Sequence, residues 1–593
     1  MTSKLSLTEW SLGAGCRTRI LHARAQLTRN DGIGGFAAWM RSESGRVQAL
    51  ARHLFPDAMS LSTKDPVAAE KETRALIADG KPVHGARLST DDLQCDADFI
   101  VPDPKNMKLR VYQVALRAVD LELFQKQKVF TWEEGKKRKP RKGWRHPLQS
   151  LAFRCHVVQQ NWPQYQVIPF FVAPVAGRVT RIEGLHGRFK ETPDGWETTD
   201  AAVIAEASHL LATFCVAGEC ESLTASVVQQ TSELNQWLQN PTAPVLGYVC
   251  KDCPFRTTDA ESGFDRCWGP HARVTPHMFD LVWMYFVQEN RQPVANRLAR
   301  EGRVSLWDVP EESIVGKHAE RQRMQIEATR TGVEILKDEL RVEMSNMQWP
   351  IHFMDIESLE PVLPVHQGAQ GGLEIFQLSV HRRNHPWAAL EHFEWLNTER
   401  GSPNRRFLKA LRARVGDHGS TGVWSPHEEH SYKRLLSQLV NQWDDDEAGD
   451  LRWLKDYLRS GRIVDMCQMA YRNHAHPLMK GRTSLKVVVS ALWSEPTPIK
   501  KQMPYANYPS EMDPYSYLKS KRQIHEGTGA MRAYVEMQNS DGVKKEKLIR
   551  ELLEYCGTDS AMTGFIWDTW THALEARAVK AEAAQSEEPL LSA

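Results

Sequence analysis

Residues 350–358 read Pro350-Ile-His-Phe-Met-Asp355-Ile-Glu357-Ser358, an apolar run that closes on two acids with one residue between them. On a β-strand, alternate residues project from the same face, so Asp355 and Glu357 stand side by side. Two carboxylates in that relation repel each other, and a charge at the end of a core strand is costly unless a cation meets it. A divalent ion such as Mg²⁺ or Mn²⁺ takes hard oxygen ligands, and two such ions about 3.5–4 Å apart can hold the attacking and leaving oxygens of a phosphodiester in line. Two hundred residues further on, the chain reads Leu552-Leu-Glu-Tyr555-Cys-Gly-Thr-Asp559-Ser-Ala-Met562. Tyr555 and Asp559 are four apart, which on a helix stacks a phenol and a carboxylate on one side.

Working outward from this pair, residues 351–356, 373–381 and 389–395 read as strands, followed by helices and turns up to Asp559. Before it, residues 317–344 form a charged stretch of helical character interrupted only by Gly332. Residues 1 to about 270 interleave helices and strands as an α/β core does, with helices over 46–55 and 147–161 and strands over 94–101, 110–116 and 165–172. The expected organisation is a module over 1–272, a helical linker over 273–347, a second α/β domain over 348–578 and a disordered tail over 579–593. At 593 residues the chain is too long for one growing core.

Hydrophobic residues make up 41% and charged residues 25% of the chain, with no apolar run long enough to cross a membrane. The first residues lack the apolar stretch and small-residue cleavage site of a signal peptide, so a cytoplasmic location is expected. The net charge of +1 carries no nucleic-acid signature of its own, and local charge runs must decide. Ten cysteines in that compartment are expected as core thiols or metal ligands rather than disulfides. Cys250, Cys253 and Cys267 differ from the rest because they cluster.

The order of an Asp-x-Glu strand, a middle acid and a late Tyr-x-x-x-Asp helix resembles the DnaQ-like 3′–5′ exonucleases of the ribonuclease H-like fold. The middle acid falls in Val423-Trp-Ser-Pro-His427-Glu428-Glu429-His430. The family pairing favours Glu428 over Glu429, although DnaQ-like enzymes carry aspartate there. The resemblance implies a two-metal site of Asp355, Glu357, Glu428 and Asp559, with Tyr555 orienting the attacking water. Asp465, at the end of an apolar run, is a further candidate for the metal periphery or else a helix cap. Between the acidic motifs, His476-Pro-Leu-Met-Lys480-Gly-Arg482-Thr-Ser-Leu-Lys486 supplies three cations suited to a phosphate backbone, or forms an ordinary polar loop entering a helix.

The chain as a whole resembles an uncharacterised bacterial family that fuses a RecB-like PD-(D/E)XK nuclease module to such an exonuclease domain. The match rests on residues 7–16, ending at Cys16, on Cys253-Pro-Phe-Arg through Cys267-Trp268, on the stretch 320–328, and on 476–486. It implies a 4Fe–4S cluster held by Cys16, Cys250, Cys253 and Cys267, although thiolate spacing alone also suits zinc. A RecB-like nuclease carries an aspartate on one strand and Glu-x-Lys on the next. Asp98 fits the first position, but the next strand offers Gln113 and Ala115, and Arg154 replaces a glutamine expected in the following helix. Alanine carries neither charge nor proton, so this module is expected to be catalytically inactive. It keeps a basic run, Lys136, Lys137, Arg138, Lys139, Arg141 and Lys142 beside Trp144 and Arg145, as a candidate nucleic-acid contact or a solvated loop. The expected function is a 3′–5′ exonuclease on DNA or RNA, in repair or anti-phage defence. The alternative is a non-catalytic nucleic-acid-binding scaffold.

Overall fold

The computed structural model describes residues 4–30, 34–134, 137–259, 261–440 and 448–587. They are mixed α/β and fall into two compact units. One comprises Met1–Ala272 with Pro361–Gly372, the other Arg273–Glu360 with Leu373–Ala593. The stretch 273–347 therefore folds as part of the second unit. Among the described residues, no helix is long and apolar enough to cross a membrane.

In the first unit the chain runs α1 (Leu7–Gly15), α2 (Pro66–Ala78), β1 (Val83–Ser89), β2 (Leu93–Asp103), β3 (Lys108–Val114), β4 (Thr131–Glu134), β5 (Lys137–Pro140), α3 (Arg145–Asn161), β6 (Gln166–Pro174), β7 (Leu211–Cys215), α4 (Ala217–Gln239) and α5 (Gly263–Trp268). The main sheet has the order β7-β6-β3-β2-β1, completed by the two-residue strands Met59–Ser60 beside β1 and Leu5–Ser6 beside β2. β3 and β6 are parallel, whereas β1, β2 and β3 are successive antiparallel neighbours. Leu148, Leu151 and Phe153 of α3 pack with Val227 and Leu234 of α4 on Val111 and Phe171. The basic run, expected as a nucleic-acid contact or a solvated loop, contributes β5, which pairs antiparallel with β4. Lysine and arginine are tolerated there because both strands are short and stand outside the main sheet.

The segment Pro361–Gly372 belongs to this unit although it lies in sequence between two strands of the other. Glu43 accepts a hydrogen bond from the Val362 N–H at 2.7 Å, and the Leu185 and Thr180 N–H groups donate to the carbonyls of Val365 and Ala369. Leu363 is buried in the core with Val47, Leu50 and Leu210.

The second unit contains α6 (Ala319–Thr331), α7 (Glu339–Ser345), β8 (Ile351–Leu359), β9 (Glu374–Arg383), β10 (Glu391–Leu396), α8 (Asn404–Val415), β11 (Ser420–Val423), α9 (His427–Leu439), β12 (Ile463–Asp465), α10 (Met466–Asn473), α11 (Leu485–Ser494), α12 (Pro514–Lys521), α13 (Gly527–Gln538) and α14 (Gly542–Glu587). The stretch of helical character over 317–344 is two helices, and Gly332, the interruption seen in the sequence, closes α6 in the left-handed conformation at φ 70°. The sheet order is β10-β9-β8-β11-β12, antiparallel from β10 to β8 and parallel from β8 to β12.

Strand period explains the layers. Ile351 and Phe353 face α14 and pack on Met562, Phe565 and Ile566. Met354 and Ile356 face the opposite way, onto Leu408 and Leu411 of α8 and Tyr432 and Leu435 of α9. Asp355 and Glu357 continue the α14 side. α14 runs on to Glu587, through the first part of the stretch expected as a tail, while residues 588–593 lie outside the described residues.

Candidate active site

β8 and α14 bring Asp355, Glu357 and Asp559 together, with carboxylate oxygens all within 4.8 Å of one another. Glu357 and Asp559 are buried and Asp355 is partly so. Burial first, and then the neighbouring carboxylates, push Asp355 and Glu357 well above the ordinary carboxylate range. Burial also raises Asp559, against the pull of Tyr515, Lys486 and Tyr555. Three acids so close cannot all ionise unaided, and a hard divalent cation is the species that relieves them. The set therefore fits such an ion on its own donor chemistry.

A fourth acid comes from the first turn of α9. Glu428 is 4% exposed, accepts from Ser425 Oγ at 3.4 Å, and is pushed up to about 7 by burial, with Asp465 and Asp559 adding to the rise. Glu429 instead pairs with Lys433 at 2.5 Å along the helix. The structure thus places Glu428, and not Glu429, toward the cluster. Asp465 caps α10, accepting the Gln468 N–H at 3.1 Å, and still lies near enough to repel Glu428.

Tyr555 is buried one turn before Asp559; burial and the surrounding acids hold its phenol far above the normal range, so it stays neutral. A second phenol, unmarked in the sequence reading, reaches Asp559 from α12: Tyr515 Oη donates to Asp559 Oδ1 at 2.6 Å. Lys486, at the start of α11, sits 5.2 Å from the ring centroids of both Tyr515 and Tyr555 and donates to the His525 carbonyl at 2.8 Å. It pulls Glu357 and Asp559 downward electrostatically. A Cβ added at Gly527 would lie 3.8 Å from Glu357 Oε2, so the N-terminus of α13 faces that carboxylate with its dipole favourable. Cys556 is a buried thiol that donates to Asp355 Oδ2 at 3.3 Å.

Lys480 and Arg482 are exposed. Their loop is fixed from below by α6, where Arg321, 1% exposed, donates to the carbonyls of Gly481 at 3.0 Å and of His474. Trp424 Nε1 and Cys467 Sγ donate to the Thr483 carbonyl at 2.9 and 3.2 Å. The stretch 320–328 is thus a buried polar brace for the basic segment, a role that its charged composition concealed.

In the first unit, Asp98 accepts the Val114 N–H at 2.7 Å, and Arg154 donates from Nη1 to Gln113 Oε1 at 3.0 Å and from Nε to the Asp96 carbonyl at 2.7 Å. Burial raises Asp98, and Arg154 opposes the rise more than any other group. A guanidinium therefore stands against the glutamine and the aspartate, and the buried Ala115 adds no charge. A cleft of about 770 Å³ adjoins this position, lined by Lys4, Lys71, Arg74, Arg87 and Arg154 against Glu70 and Asp96. Of the basic run, Lys136 lies outside the described residues, and for Lys137 and Arg138 only the backbone is described. Lys139, Arg141 and Lys142 are exposed.

Cys16, Cys250, Cys253 and Cys267 line one small cavity together with His22. The Cys267 thiol is pushed up to about 12 by burial and by Cys250, Cys16 and Cys253. His22 Nε2 lies 3.1 Å from Cys267 Sγ, a contact absent from the sequence reading because a lone helical histidine carries no signal. Among the described residues the only three ligand atoms mutually within 4.8 Å are the carboxylates.

Residues 352–484 match the family described as Domain of unknown function (DUF2779), a span that holds Asp355, Glu357, Glu428 and Asp465 and ends before Lys486, Tyr515, Tyr555 and Asp559. No curated protein and no solved structure matches the chain.

Proposed function

We propose that this protein is a metal-dependent 3′–5′ exonuclease of the DnaQ-like type, acting on DNA or RNA through the carboxylate centre of its second unit. The observation that carries the reading is the convergence of Asp355, Glu357 and Asp559 within 4.8 Å, with Glu428 buried beside them. Asp355, Glu357, Asp559 and Glu428 would hold Mg²⁺ or Mn²⁺. When bound, a pair of such ions makes water acidic enough to attack and steadies charge on the leaving oxygen. Tyr515 fixes the Asp559 carboxylate by its 2.6 Å hydrogen bond. Tyr555, held neutral, is a donor free of acid–base duty that can orient the attacking water. Lys486 offsets part of the negative charge when no substrate is bound, and Lys480 and Arg482 offer exposed cations to a phosphate backbone.

The first unit is read as an inactive RecB-like module that clamps nucleic acid. Support comes from Gln113 and Ala115 standing where an active enzyme carries acid and lysine, from Arg154 pairing with Gln113, and from the basic cleft beside it. The four cysteines, which line one small cavity, would carry a 4Fe–4S cluster. A non-catalytic scaffold is the second reading, favoured only by the decay at Gln113 and Ala115.

The test is digestion of 3′- and 5′-labelled single and double strands of DNA and RNA with Mg²⁺ or Mn²⁺, beside Asp355→Ala and Asp559→Ala. Stepwise loss of the 3′ label in the wild type alone is expected. Digestion that persists in both variants would remove this site from the reaction.

A further inference from the structure

α7, the turn after β9 and residues 567–575 of α14 enclose a cleft of about 240 Å³ in the second unit, away from the carboxylates. Its walls include three tryptophans, Trp349, Trp387 and Trp567. Trp349 and Trp567 meet edge to face, with ring centroids 6.4 Å apart at 87°. Trp387 is 45% exposed, and its backbone has φ 60°, a left-handed conformation that bulky side chains rarely adopt. The turn thus spends an unfavourable backbone geometry to leave an indole accessible at the cleft.

The polar lining is specific. Arg383, 4% exposed, donates from Nη2 to Asp568 Oδ2 and from Nη1 to the Ala388 carbonyl, each at 2.6 Å, while Tyr505 Oη donates to the same Asp568 oxygen at 2.8 Å. Arg383 Nε is buried with no acceptor. Arg341 and Arg383 are matched by Asp568 and Glu575 in the same lining, so the cleft is formally neutral. It is also smaller than the roughly 300–1,000 Å³ of pockets that take drug-sized ligands. A single uncharged, flat ring satisfies these conditions of size, charge and aromatic lining. A phosphate or an acidic peptide does not, because no net positive charge receives it.

We infer that this cleft captures one unpaired base of the strand engaged at the carboxylate centre, an assignment that rests on the nucleic-acid reading above. Every base has a π face to lay on an indole. Asp559 and Trp567 lie eight residues apart on α14, about 12 Å along the helix, which is more than a single nucleotide step of an unpaired strand. A dinucleotide at the carboxylates cannot reach the cleft, whereas a longer single strand can.

The experiment measures binding of fluorescein-labelled oligothymidylates of two and twelve nucleotides, and of a blunt duplex, to full-length protein carrying Asp355→Asn to block turnover. Trp387→Ala in that background is expected to weaken the twelve-mer by about fivefold to a hundredfold, the span of base–aromatic stacking. The dinucleotide and the duplex should be indifferent, and Trp387→Phe should retain most of the affinity. Since Trp387 is half exposed, its loss leaves the core intact, and a thermal melt confirms that the variant is folded. An unchanged twelve-mer affinity in Trp387→Ala, in a protein whose wild type digests DNA, overturns the base cleft and leaves the exonuclease reading standing. A wild type that neither digests nor binds any strand overturns both.

Discussion

Replacing Glu428 with glutamine keeps its shape but removes one ionisable group from the carboxylate centre, and the structure gives the size of the effect. Its folded value of about 7 against an ordinary 4.5 means that ionising it in the metal-free protein costs about 3 kcal/mol, at 1.36 kcal/mol per unit. The native state holds this proton more tightly than the unfolded chain does. Stability is therefore complete below about pH 4.5, falls as pH rises through both values, and levels off above about pH 7. Between pH 5.5 and 8 the loss from this residue is about 2 kcal/mol. Scanning calorimetry in the presence of a chelator reads it, with the transition of the second unit recognised by its rise on adding Mn²⁺. Wild-type protein should lose roughly 4 °C more than Glu428→Gln across that pH span, taking about 2 °C per kcal/mol for a unit of this size. With saturating Mn²⁺ at pH 8 the order reverses, because the wild type supplies one more charged ligand. Parallel pH slopes for the two proteins in chelator, or equal Mn²⁺ shifts at pH 8, would refute both the burial of Glu428 and its place among the metal-holding acids.

Tyr515→Phe removes a donor that favours the charged form of Asp559, so the acidic limb of the activity profile should move upward by about one to two pH units, the equivalent of a charge-assisted hydrogen bond of about 1.5–3 kcal/mol; an unmoved limb in a pH–rate series argues against the contact. In the first unit, Gln113→Glu with Ala115→Lys should add no Mn²⁺ site to that of the second unit by titration calorimetry, because Arg154 continues to pair with residue 113. Adding Arg154→Gln should open one, and an added site in the double variant alone would contradict that assignment. Aerobically purified protein should be brown and lose its visible absorbance in Cys253→Ser, while a colourless wild type that contains zinc would exclude the iron–sulfur reading.

The carboxylate strand was legible because its information is local. Period-2 alternation over 351–357 fixes both the strand and the shared face of Asp355 and Glu357, and a helical spacing of four does the same for Tyr555 and Asp559. Choosing Glu428 over Glu429 needed the helix phase, which decides that one acid turns inward and the next pairs with Lys433. Tyr515 was invisible. It lies 44 residues from Asp559, in a region of short helices and 3-10 turns with no apolar period, and only the packed fold brings the two together. The buried brace of Arg321 was hidden for the opposite reason: a run dense in charge reads as solvated, yet backbone carbonyls at Gly481 and His474 satisfy the guanidinium inside. Likewise, the basic run resolved partly into a hairpin because the charges say nothing about backbone pairing.

The excursion of Pro361–Gly372 also bears on how this polypeptide can be divided, by a protease, by recombination or at the bench. The chain passes from one unit to the other at 272, at 360 and again at 372, so no single cut yields two whole pieces. A fragment beginning near 348 would carry Asp355 and Glu357 but leave Leu363 and Val365, both buried here, without their core. It should be sticky and poorly folded at the bend that follows Glu357. The carboxylate-bearing strand and the thiol-bearing half are thus tied together in the chain: a rearrangement that treated residue 272 as a seam would part Pro361–Gly372 from the unit it packs in.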